Sequence, residues 1–404
     1  FEPIVSPVFC PEMNDFEPDW PPDPPSAEEL EALCTHQARA SLALGRLDGL
    51  LKHCPPDIAR VFAAKFVRDT LTAALTQESH SFTEPRFAIW FAGLAPLSDE
   101  PLQFTRSARA VGGQLLAELA LSRWEPLAET AIGFQAAFLA FHDANDAQTR
   151  DAIQDSLEEA RTIIASLPTD HLPFTGLEIL RHAIAKSSHF ALPERAHDAV
   201  QLDNLLLLVE RTRPPSPRWP LEIAFGPYLR DSGLLSAALP IAGLIRQNID
   251  NDNATRTRIS EAEALESCVH RLRNTYDQAC TIVAEIQTYF AEARATSRAP
   301  QLYALLRAFG PMRSAQIEKL LGATRIGVRT MLASLAKVGV LNPEIICGVK
   351  LYSVRQTTNL RSPSIAAEAD TMAFSQDAID AYDSSMADID QLLARYSASD
   401  NHTK

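Results

Sequence analysis

The chain has no apolar run near the ~20 residues of a membrane-spanning helix, and no signal-peptide pattern opens it, so the expected setting is the cytoplasm. Its six cysteines (Cys10, Cys34, Cys54, Cys268, Cys280, Cys347) include no CxxC pair. A scatter of this kind in a long chain reads as reduced thiols rather than a disulfide framework. Cys268 and His270 stand close together, but two ligands fall short of the four that structural zinc takes, so no metal or other cofactor is expected. The phosphate-cradling GxxxxGK[ST] and GxGxxG strings are absent, as are the metalloprotease HExxH and the nucleophile-elbow GxSxG. His142-Asp143 reads equally well as an acid/base pair or as a helix-terminal histidine followed by a turn acid. No catalytic site is legible, and the chain is read as a non-enzyme.

What is present is an uneven distribution of charge. The whole chain carries -14, yet residues 298–361 hold ten bases against two acids, a local +8 that leaves -22 on the other 340 residues. A basic island in an acidic chain is the electrostatic footprint of a nucleic-acid contact, because neutralising phosphates releases condensed counterions. Residues 1–29 form the opposite extreme, with eight prolines, eight acids and no base, and read as an acidic arm. Such an arm repels DNA at low salt, and the repulsion is screened beyond ~8 Å at physiological ionic strength.

Inside the island the pattern predicts three short helices and a hairpin. Leu302, Leu305, Leu306 and Phe309 recur at helical spacing before the Gly310-Pro311 stop. A second helix begins near Ser314, turns Ile317, Leu320 and Leu321 inward, and ends at Gly322, where a tight turn needs positive φ. Thr324 is placed to cap a third helix, Arg325 to Val338, with Val328, Leu332, Leu335 and Val338 inside. Its outer face then carries Arg325, Arg329, Thr330, Ser334 and Lys337, side chains suited to guanine edges and phosphates in a major groove. After Gly339, residues 344–354 read as a β-hairpin wing that offers Lys350 and Arg355 to the backbone; Arg313 and Thr324 complete the expected DNA-binding set.

Residues Ile317 to Leu341 resemble the helix-turn-helix of bacterial winged-helix regulators, which carry an LGVSRxTVRRxLxxLxxxGLL type of run. The resemblance implies double-stranded DNA as partner and two-fold homodimers on paired half-sites. More broadly the layout resembles Fic-type regulators through RASLALGRLDGLL (Arg39–Leu51), and rhizobial, often plasmid-borne helical proteins with a C-terminal helix-turn-helix. The Fic catalytic string HPFxxGNGR is not reproduced. His171-Leu-Pro-Phe-Thr-Gly176 has an extra residue after His171 and lacks the Asn and Arg that would hold phosphate.

Upstream, helical periodicity fills Leu30–Cys54, Pro56–Gln77, Arg106–Leu121, Leu127–Ala140, Ala147–Ser166, Gly176–Ser187, Glu194–Val209, Leu221–Arg230 and Leu234–Asn248, with a proline-rich break at 211–220. Ser26 and Glu29 have capping-box spacing at the first helix. Leu265, Val269, Leu272, Tyr276, Ala279, Val283, Ile286, Phe290 and Ala293 form a heptad seam on a long helix over 260–296, which packs in a bundle or pairs two copies. The fold class is therefore all-α: a helical domain over 30–297, then a winged helix-turn-helix over 298–358. An acidic tail over 359–404 closes the chain, and its Ile379, Tyr382, Met386, Ile389, Leu393 and Tyr396 share one helical face suited to self-association. Two functions stay open: a sequence-specific transcriptional regulator, or a non-catalytic scaffold of a plasmid or defence system that grips DNA non-specifically or binds a protein.

Overall fold

The computed structural model describes residues 25–98, 106–141, 146–169, 173–191, 197–202, 205–210, 216–246, 253–291 and 297–355. Residues 1–24 of the acidic arm, His142, Asp143, His171 and everything from 356 onward, including Arg361 and the expected tail helix, lie outside the described residues, while 27–29 of the arm belong to the first helix. The chain is mostly helical, with a small three-stranded sheet at the C-terminal end. No described helix is long and apolar enough to cross a membrane.

Seven helices come first: α1 (Ala27–Lys52), α2 (Pro56–Gln77), α3 (Glu84–Phe91), α4 (Ala108–Ala120), α5 (Glu125–Ala137), α6 (Asp146–Ala165) and α7 (Pro173–Ala185). A hairpin of β1 (His197–Leu202) and β2 (Leu205–Glu210) follows, then α8 (Trp219–Asp231) and the long α9 (Ala254–Tyr289). The chain continues with α10 (Ala299–Phe309), β3 (Met312–Arg313), α11 (Ser314–Leu321), α12 (Arg325–Val338), β4 (Leu341–Ile346) and β5 (Val349–Val354). Many starts are chemically marked. Ser26 and Glu29 form the expected reciprocal capping box, and α2, α3, α5, α8 and α10 carry proline in the first turn, where its missing N–H is not needed.

The first half of the α9 heptad seam, Leu265 to Ala279, is buried within the chain; Val283, Ile286 and Phe290 are half-buried, and Ala293 lies outside the described residues. α1 runs parallel to α9 at a constant offset: Glu29 meets Arg256 at 3.7 Å and His36 meets Glu263 at 3.8 Å, both pairs separated by 227 positions. Leu33, Ala40, Leu44, Leu47 and Leu51 of α1 are buried, as are Leu265, Val269, Leu272, Tyr276 and Ala279 of α9. With α1 and α2 packed on it, the stretch from Leu265 to Ala279 is covered and is not available as a coiled-coil face.

Three local expectations are corrected. The described part of 194–209 is strand rather than helix. β1 and β2 pair there antiparallel with Leu202 opposite Leu205, and the intervening Asp203-Asn204 is a residue pair suited to a two-residue turn. Residues 232–246 also form no helix. Pro240 cannot continue one, Gly233 and Gly243 take φ of 70° and 80°, and the backbone finds its partners elsewhere. Helix α3 occupies a stretch where no periodicity was read. It supplies Phe87, Trp90 and Phe91 to the core.

The C-terminal segment is seated on the helices before it through these aromatics. Phe309, the last residue of α10, lies 4.1 Å from the Phe134 ring and 4.7 Å from the Phe91 ring, centroid to centroid. Beside them Gln316 is fully buried. Its Nε2 donates to the carbonyls of Phe91 and Ala137, both at 3.1 Å, while its Oε1 accepts the Arg313 N–H at 3.2 Å. One amide thus joins the ends of α3 and α5 to the start of α11. Gly133 lets α11 approach α5, because a Cβ there would lie 3.3 Å from Leu320 Cδ2. Glu285 of α9 accepts from Tyr303 at 2.8 Å and from Arg307 at 3.3 Å. Replacing Gln316 by Leu leaves these buried backbone groups under-satisfied and should cost about 1–3 kcal/mol. Urea unfolding checks this: the midpoint should fall with little change in slope, and an unchanged midpoint would contradict the role given to Gln316.

Candidate functional site

The outward face of α12 follows from its sequence and caps. Thr324 accepts the Gly327 N–H at 3.2 Å, fixing where the helix begins, and left-handed Gly322 (φ 53°) sets the turn from α11. Val328, Met331, Leu332 and Leu335 are buried, so the opposite stripe faces water. That stripe carries Arg325, Ile326, Arg329, Thr330, Ala333 and Lys337. Val338, expected inside, is 38% exposed, and Met331 fills the inner face in its place. Thr330 and the half-buried Ser334 donate their hydroxyls to the carbonyls one turn back, Ile326 and Thr330, leaving their oxygens as acceptors.

The sheet stands beside this helix in the order β3-β5-β4, antiparallel throughout. Cys347 and Gly348 connect β4 to β5 with φ of 50° and 74°, the two positive angles of a type I′ turn. Lys350 pairs across the hairpin with Ile345, which is 66% exposed, and Arg355 leaves the sheet with its N–H on the Val340 carbonyl. Strand β3, two residues long and paired with β5, gave no signal in the sequence.

The basic residues divide sharply. Arg313, expected among the outward cations, donates to the Ala92 carbonyl at 2.9 Å and is half-buried. Arg298 binds the Leu321 carbonyl, and Arg307 is held by Glu285. Arg313 and Arg307 fasten the segment to the preceding helices, and Arg298 joins the start of α10 to the end of α11. Lys319, Arg325, Arg329, Lys337, Lys350 and Arg355 are exposed, and among the described residues none has an ion-pair partner. Ile326 belongs to the same outward face, and its spacing from Val328 already places it there. It precedes Val328 by two residues, about 200° around the helix, and is 75% exposed.

A second cluster of titratable groups lies among the preceding helices. Glu222 of α8 is almost wholly buried. It accepts from Gln77 Nε2 at 2.8 Å, Gly243 N at 2.7 Å and Ile245 N at 3.3 Å, which satisfies the irregular segment after α8. Burial pushes its carboxyl up to about 7, against the pull of those donors. Glu78, also buried, accepts from Trp219 Nε1 at 2.7 Å and is raised by desolvation against the opposing charge of Arg106. Arg218 is lowered to about 10 by burial while it donates to the Phe190 carbonyl and to Ser216. The cluster ties α2, α8 and the 243–245 backbone together. No group of three or more metal-ligating side chains occurs among the described residues.

No family model matches this chain, and no curated protein matches it. The resemblances drawn from the sequence rest on the residues quoted for them alone.

Both buried carboxyls bind protons more tightly folded than unfolded. Their stabilising contribution is therefore complete below the ordinary carboxyl value of 4.5 and is lost as pH rises above it, for Glu222 toward about 7. Glu222→Gln should gain stability relative to the parent between about pH 5 and pH 8, on the order of 2–3 kcal/mol. Denaturant midpoints across that range check it, and a difference that is flat or shrinks with pH would contradict it.

Proposed function

We propose that the C-terminal segment is a winged helix-turn-helix that binds double-stranded DNA, and that the chain is a sequence-specific regulator. In this reading α12 enters the major groove, α11 crosses the backbone behind it, and the β4–β5 hairpin is the wing. The observation that carries it is the unpaired basic face: six exposed cations on one segment of a chain whose remainder is strongly acidic. A solvated face with no polyanionic partner gains nothing from six like charges held together, whereas a phosphate array repays them through counterion release.

Roles follow from position. Arg325 and Arg329, one turn apart at the start of α12, suit bidentate contacts to guanine, and exposed Ile326 between them suits a thymine methyl. Lys319, Lys337, Lys350 and Arg355 suit phosphates. The small Ala333 allows close approach of the helix backbone to the groove. Pairing of two copies on a two-fold site is part of the proposal, with the apolar face read in residues 379–396 as the sequence offered for it.

Selection from a random duplex library at fixed salt tests this reading. A sequence motif should emerge, and Arg325→Ala or Arg329→Ala should each cost about 1–3 kcal/mol and relax one position of it. Lys350→Ala should weaken all duplexes alike. Binding that depends on length but yields no motif would favour the non-specific scaffold, and a double arginine variant that binds as tightly as the parent would remove α12 from the interface.

A further inference from the structure

The junction between the C-terminal segment and the earlier helices is not completely filled. A cleft of about 560 Å³ opens there, with α2, α5 and α9 on one side and α10 and the end of α11 on the other. Its volume falls in the range of small-molecule sites, about 300–1,000 Å³. Six aliphatic side chains turn toward it and remain only half-buried: Val283, Ile286, Ala304, Leu305, Leu320 and Leu321. Aliphatic surface left wet around a concavity of this size is the surface an apolar occupant would cover.

The rim restricts the occupant's charge. Two acids and two bases stand around it, Asp57 and Glu129 with Arg60 and Arg298. Arg60 is paired with Asp57, and Arg298 is engaged by Gln301 and the Leu321 carbonyl. The four rim charges sum to zero, so no net charge draws an ion, and a charged group entering the apolar interior would lose hydration that the half-buried aliphatic side chains do not replace. Directional polar groups remain: Thr130, whose hydroxyl donates to the Pro126 carbonyl at 2.6 Å and keeps its acceptor side, together with Gln287 and Gln301.

We infer that this cleft is a binding site for an uncharged, largely apolar small molecule carrying a hydrogen-bonding group. The inference stands apart from the DNA reading and is independent of it. An occupant touches both sides of the junction at once, so its binding braces α10 and α11 against α2, α5 and α9 and raises the stability of the folded chain.

N-phenyl-1-naphthylamine, an uncharged probe that fluoresces when taken out of water, tests the site on the full chain. Saturable binding with one probe per chain is expected, together with a rise in melting temperature. Its sulfonated analogue, 8-anilinonaphthalene-1-sulfonate, should bind at least about tenfold more weakly. Ala304→Phe fills the cleft and should reduce probe affinity by about tenfold or more. Gln301→Trp, at an exposed rim position where folding is not at stake, should do the same. Equal or tighter binding of the sulfonate overturns the assignment of charge. Probe binding that survives both variants overturns the site and points instead to the larger cleft of about 710 Å³ beside Ile223 and Pro227. Absence of saturable binding overturns the inference outright.

Discussion

Gln316 is the point on which the C-terminal segment turns. Its side chain is sealed from water, and its amide is committed on three sides to backbone groups of α3, α5 and the start of α11. A buried amide is tolerated only when its hydrogen bonds are made, so α11 has one seating in which this residue is not a liability. The Phe309–Phe134 stack and the Arg313 bond to Ala92 fix the same seating from either side. Because α12 follows α11 through a three-residue turn bounded by Gly322 and Thr324, its outer face inherits an orientation set by the earlier helices.

That inheritance separates two kinds of arginine. Arg313 and Arg307 reach back to Ala92 and Glu285 and hold the segment, whereas Arg325 and Arg329 on α12 and Arg355 after β5 are exposed and have no ion-pair partner among the described residues. The acidic remainder of the chain adds long-range repulsion toward a polyanion, but screening confines it to about one Debye length, ~8 Å at physiological salt. Contact at the basic face is then decided locally. The same seating leaves the cleft beneath α10 and α11, where close approach at Gly133 gives way to half-buried leucines.

Short-range grammar was legible in the sequence. Ser26 with Glu29, Gly310-Pro311, Gly322, Thr324 and Gly339 each mark a helix end through one residue's own backbone preference, and the helix ends fall there. What stayed hidden depends on partners remote in the chain. Arg313 looks like any exposed cation until Ala92, 221 positions earlier, accepts its hydrogen bond. Gln316 looks like helix surface, and the α9 seam fits either a bundle or a second copy until the stripe of α1 is laid along its first half. Residues 205–210, Leu-Leu-Leu-Leu-Val-Glu, carry no period-two alternation, so helix and strand could not be told apart there by pattern. The 232–246 segment is apolar enough for a helix, yet it is held irregular by Pro240 and by the Glu222 carboxylate reaching its N–H groups.

The proposed DNA face consists of six exposed cations, none of which has an ion-pair partner among the described residues. It is tested most directly by the salt dependence of binding to a short duplex, followed by fluorescence anisotropy between about 50 and 200 mM monovalent salt. With a slope of about -0.9 per neutralised phosphate and at most six contacts, log K against log salt should fall with a slope between about -3 and -5. The slope should become shallower by about one for each of Lys319, Lys337, Lys350 and Arg355 changed to Ala. No binding at the lowest salt, or a slope near zero that these changes leave alone, would contradict the account.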